Sequence, residues 1–205
     1  MQSIVQEIAS AAERLCLDRS AVVVLAQEDS ERIYWSALQR FVGPEDRRWW
    51  WEAFREPGVS LTFVDGDGWR KLPSIVPSAS DPVWFIAEDD QLPQYPVFEM
   101  SAEVAAKIIG ECYGFEYYLV AKDLSWLVCE THHNVVCAIG AAVEGRLLEH
   151  AVQPFAPADG FAVRRACTLG VLNARRPGRR NPLVQGQPRR TGVDYTRSAP
   201  ASLRC

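Results

Sequence analysis

Residues 125–140, SWLVCETHHNVVCAIG, gather a tryptophan, two cysteines, a glutamate and a histidine pair in one short stretch. Three chemistries draw on such residue types. A thiol beside an imidazole can lose its proton and act as a nucleophile, which would join Cys129 to His132 or His133. Cysteine and histidine also hold zinc, but about four ligands must converge, and Cys129, His132 and His133 make an incomplete set. The third chemistry is recognition. On a strand, alternation puts Trp126, Val128 and Glu130 on one face and Leu127, Cys129 and Thr131 on the other. Trp126, Glu130 and the turn residues His132 and His133 then form a candidate binding surface at a sheet edge. No catalytic residue, metal ligand set or cofactor site is assigned.

The choice among these depends on the turn. A two-residue turn made by His132 and His133 pairs Cys129 with Val136 and Val128 with Cys137, so the cysteines point to opposite faces. A turn one residue longer sets Cys129 across from Cys137 and restores a shared site. Two-residue turns dominate tight hairpins, and the positive φ they need is tolerated by His and Asn. The shorter turn is therefore expected, with the histidine pair serving binding rather than chemistry.

The elements that would carry this stretch can be read from pattern and punctuation. SIVQEIASAAERLC sets Ile4, Val5, Ile8, Ala11, Ala12 and Leu15 on one helical stripe. DSERIYWSALQRFV predicts a second helix capped by Asp29 or Ser30. GPEDRRWWWEAFREPG predicts a third, with Pro44 near its start and Gly58 past its end. Its three tryptophans span about 200° of a helix, so Trp49, Trp50 and Trp51 cannot all face one core. VSLTFV, PVWFIAE and YPVFEM then read as strands. SAEVAAKIIGECYG reads as a helix capped by Ser101 and closed by Gly114. Three strands follow with turns at KDLS and THHN, and AAVEGRLLEHAV makes a last helix. Without β–α–β alternation, the expectation is an α+β domain: a largely antiparallel sheet flanked by helices.

Other motifs dissolve on inspection. VDGDGW opens like a calcium loop, but Trp69 and Arg70 occupy its next positions and no glutamate closes it; it is a turn. AEDD reads as an acidic strand end. There is no phosphate loop, nucleophile elbow, zinc-protease motif or dinucleotide fingerprint.

Of 205 residues, 48% are hydrophobic and 23% charged, the composition of a soluble globular protein. No apolar run reaches the roughly 20 residues a membrane helix needs, and the N-terminus lacks a secretory pattern; a bacterial cytoplasmic setting is expected. The six cysteines are scattered, which favours reduced, buried thiols. The net charge of −4 is uneven. Residues 161–205 hold ten arginines and one acid, a net +9, which leaves 12 basic and 25 acidic side chains, a net −13, in residues 1–160. A single domain over 1–157 and an Arg/Pro/Gly-rich tail over 158–205, too polar to order itself, are expected. Nucleic-acid binding would rest on that tail alone, and the acidic body opposes it.

The block GECYGFEYYLVAKDLSWLVCETHHNVVCAIG resembles an uncharacterised group of small bacterial proteins with a GFEYY strand, a WL-CE-HH strand and turn, and an apolar strand ending in glycine. Thr131 stands where that pattern has Asn. The layout is similar, more loosely, to SUKH-type immunity proteins of bacterial toxin systems. That likeness implies a toxin-neutralising binding protein, and the acidic body points to a basic protein toxin as its partner. The alternative is a small hydrolase or thiol-dependent enzyme using Cys129, His132 and His133.

Overall fold

A computed structural model of the chain describes residues 3–43, 48–89 and 95–151. The expected tail, and residues 44–47 of the expected third helix, lie outside the described residues.

The first helix, α1 (Ile4–Arg14), starts where Ser3 and Gln6 close a capping box, and it buries Ile4, Ile8 and Ala11 as the stripe requires. The ambiguous apolar run after it is a two-residue strand, β1 (Val23–Val24). The second helix, α2 (Gln27–Phe41), begins earlier than its polar residues suggest, with Ala26 at the N-cap. Ser30 does not cap it, because its hydroxyl accepts the Val97 amide proton at 2.9 Å and ties the helix to the sheet instead.

The expected helix around the three tryptophans is corrected. Trp49 is extended, and only a 3-10 turn, Trp50–Ala53, follows it. The Trp50 amide donates to the Tyr118 hydroxyl at 3.0 Å, so the sheet rather than a helical carbonyl satisfies it. Next come β2 (Val59–Thr62), a 3-10 turn at Gly68–Lys71, α3 (Leu72–Ile75), β3 (Pro82–Ala87) and β4 (Val97–Ser101). Ser101 caps α4 (Ala102–Glu111) as expected, but the helix ends at Cys112 in extended conformation, ahead of Gly114. The meander β5 (Tyr117–Val120), β6 (Leu127–Glu130) and β7 (Val135–Ile139) leads into α5 (Ala141–Ala151).

The strands form one antiparallel sheet in the order β1-β4-β3-β5-β6-β7-β2. The architecture is therefore α+β with a helix-flanked antiparallel sheet, as the pattern predicts. Both faces are covered. Phe85, Leu119, Val128 and Val136 pack with α1, α3, α4 and α5 residues on one side. Ile86, Tyr118, Leu127 and Cys129 pack with Ile33, Leu38, Phe41 and Trp50 on the other. Double-sided burial explains why β5 and β6 read as continuous apolar runs rather than strict alternation. No helix among the described residues is long and apolar enough to cross a membrane.

Candidate functional site

The β6–β7 turn has three residues, His132, His133 and Asn134. Thr131 donates to the Val135 carbonyl and Asn134 to the Thr131 carbonyl, both at 2.9 Å. Asn134 takes a left-handed φ of 59°, the conformation that turns a type I turn into a bulged hairpin and that Asn bears better than most residues. The expected two-residue turn is thus corrected: Cys129 stands opposite Cys137, and Glu130 opposite Val136. The left-handed residue is Asn134, one position beyond the histidine pair.

The turn overhangs a cleft of about 660 Å3 at the end of the sheet. Its walls come from the segment at Arg48 and Trp49, the turn at Gly66–Trp69, the α4–β5 connection and the ends of β5 and β6. On the α2 side the centre is Glu116, which is buried. Its Oε2 accepts from the Trp51 indole at 3.0 Å. Its Oε1 accepts from the His132 amide at 3.4 Å and lies 2.5 Å from His132 Nδ1. An ionised carboxylate can only accept, so in that pairing Nδ1 is the donor. Trp49 and Trp51 stack on each other and both lie against the His132 ring, while His133 lies against Trp51. Trp50 points the opposite way, stacked on Tyr118 with centroids 4.5 Å apart. The two oddities of the sequence, WWW and HH, therefore meet in space. Beside them Arg48 bonds Glu88 at 2.7 Å and lies over Trp49.

On the other side of the sheet end, Glu130 is buried and accepts from the Tyr117 hydroxyl at 2.9 Å. Burial pushes its carboxyl above the usual range, with Asp67 adding to the rise, while Tyr117 and the nearby amides of Trp69 and Gly68 pull the other way. Glycine at position 68 leaves room for this arrangement: a Cβ there would sit 2.6 Å from both Glu130 Oε1 and Val136 Cγ2, so these side chains would have to shift. Tyr113, on the cleft rim, is 89% exposed.

Of the expected binding residues, the structure brings Glu130 and His132 to the cleft, and His133 to its aromatic wall. Trp126 belongs to the core, packed with Val128 at the far end of β6, about 13 Å from Glu130 at 3.3 Å per residue. Cys129 is fully buried under Tyr118 and Cys137. The cleft also takes Glu116, Tyr117, Tyr113 and Trp49, with Trp51 packed on its mouth, none of them among the expected binding residues. Glu116 and Tyr117 lie in the GFEYY block and Trp49 and Trp51 in the tryptophan run, the signals that mark them, whereas Tyr113 stands just before the block. Among the described residues no cluster of three His, Cys, Asp or Glu could hold a metal ion.

A family model described as a family of unknown function, DUF6756, matches residues 1–151. The chain belongs to that family. This agrees with the likeness to an uncharacterised group. No curated protein and no solved structure matches the chain.

Proposed function

We propose that the chain is a binding protein that recognises a basic protein through the cleft and its aromatic mouth; the narrower form of this reading is an immunity protein that neutralises a bacterial toxin. The observation that carries it is the mouth itself. Trp49, Trp51 and His132 pack together over the buried Glu116, with the His132 side chain 44% exposed and Tyr113 free at the rim. Rigid aromatics beside buried acids are the anchors that dominate interface energetics and hold guanidinium groups. The net −13 of residues 1–160 steers a basic partner toward it. The loose SUKH likeness adds the toxin; it rests on layout alone. The test is capture of basic toxins encoded beside the gene, followed by calorimetry with wild type and Trp49→Ala. Tight binding that the substitution weakens at least tenfold supports the reading. Equal binding by both proteins, or none by either, sinks it.

One observation favours a second reading, hydrolysis. Glu116 holds His132 through Nδ1 at the cleft mouth, the orienting contact that a general-base histidine uses. This form of the reading uses the imidazole rather than the thiol, because Cys129 is buried and does not line the cleft. Ester or phosphoester turnover lost in His132→Gln would favour this reading.

A further inference from the structure

The three-residue turn has a second consequence, deep in the sheet. Cys129 and Cys137 are directly opposite one another. The ladder closes with a hydrogen bond at Thr131 and Val135, so alternation makes Cys129–Cys137 a hydrogen-bonded pair with Cα atoms about 5.5 Å apart. That spacing falls inside the range of about 4.4–6.8 Å that a disulfide needs. Both side chains point to the α2 face, in a row that runs Ser60, Cys137, Cys129, Tyr118. The two thiols face each other across the strand pair, and the Ser60 hydroxyl donates to Cys137 Sγ at 3.4 Å. The row continues to Tyr118, whose hydroxyl holds the Trp50 amide between the two tryptophans of the cleft mouth.

We propose that Cys137 and Cys129 form a redox site that a hydroperoxide closes to a disulfide and a thiol reductant reopens, adjusting the cleft mouth through the turn above it. Cys137 reacts first. It lies one strand in from the β2 edge and retains 7% exposure, whereas Cys129 has none. Hydrogen bonds from Cys129 and Ser60 hold the Cys137 thiol below the ordinary range, while burial pushes Cys129 up. The Cys137 sulfur attacks the peroxide: an S–O bond forms, the O–O bond breaks, and the departing oxygen leaves as water or alcohol. Cys129 sulfur then attacks Cys137 sulfur. The S–S bond forms, the S–O bond breaks, and hydroxide leaves with the Cys129 proton as water. Both sulfurs are oxidised and the peroxide is reduced.

The chemical half stands on the register alone; the effect on the cleft rests on the binding reading above. The test uses the full chain, treated with hydrogen peroxide, denatured, alkylated and mapped without reduction. Loss of two of the six thiols, a peptide pair joined at Cys129 and Cys137, and recovery with dithiothreitol are expected. Cys129→Ser should accumulate a dimedone adduct at Cys137. Oxidation confined to the exposed Cys16, with Cys129 and Cys137 still free in wild type, overturns the proposal. A disulfide that forms yet leaves partner affinity unchanged overturns its regulatory half. Failure of the reduced protein to bind any basic partner counts against the binding reading and leaves the disulfide standing.

Discussion

His132 Nδ1 lies 2.5 Å from Glu116 Oε1, and the residues that make this contact are 16 apart in the chain. The bond crosses from the entry of β5 to the turn after β6, so it ties the two ends of a hairpin at the cleft mouth. Glu116→Gln keeps the size but offers one acceptor oxygen to donors from Trp51 and His132. At least one donor then faces an NH2 group. The expected cost is about 1–3 kcal/mol, read as a lower urea midpoint, together with loss of the slowly exchanging His132 ring proton in NMR spectra.

Tyr118→Phe removes the acceptor of the Trp50 amide while preserving the ring stack. A buried amide left unpaired costs about 1–3 kcal/mol. Denaturant unfolding should show that loss with little change in slope, since the exposed surface is the same.

Glu130 gives the protein a pH dependence of definite sign. Its carboxyl is raised from the ordinary 4.5 by burial, so the folded state binds the proton more tightly than the unfolded chain. Stability from this group is full below the unfolded value and falls as pH climbs through the folded one. Tyr117, Asp67 and the amides of Gly68 and Trp69 are the groups that face it. Glu130→Gln should flatten the profile of urea midpoint against pH above 4.5; parallel profiles for the two proteins would refute the assignment.

Gly68→Ala drives a methyl into Glu130 and Val136, each 2.6 Å from the new carbon. Overpacking of this kind costs about 1–3 kcal/mol. The substitution should also displace Glu130 from Tyr117, visible as a changed Tyr117 environment in near-ultraviolet circular dichroism.

Asn134→Val places a β-branched residue at a φ of 59°. Destabilisation of about 1–2 kcal/mol is expected, while Asn134→Gly should hold stability near wild type. If Val were tolerated as well as Gly, the turn would not depend on a left-handed residue at that position.

Much of the fold follows from local rules that the sequence states openly. Ser3 and Ser101 begin helices because their hydroxyls cap the next turn. The β5–β6–β7 meander is set by apolar runs and polar turns, and the absence of β–α–β alternation makes the sheet antiparallel. The helix expected at WWW failed because the partner of the Trp50 amide is a tyrosine 68 residues away. α2 starts ahead of Ser30 for a similar reason: the Ser30 hydroxyl accepts from Val97 in the sheet instead of capping the helix. Tertiary contacts override local propensity where they satisfy the same donor better.

The candidate site divides along the same line. From sequence alone, His132 and His133 belong to a turn, Glu130 belongs to a strand end, and three adjacent tryptophans cannot share one core. Only the tertiary structure decided that Trp49 and Trp51 close on His132, that Glu116 holds Trp51 and His132, and that Trp126 serves packing. It also decided the hairpin register, because one left-handed residue at Asn134 lengthens the turn and moves Cys137 opposite Cys129. Side-chain alternation has a period of two, so a slip of one residue exchanges the faces of an entire strand. The sequence carries both possibilities, and packing on the two faces of the sheet selects between them.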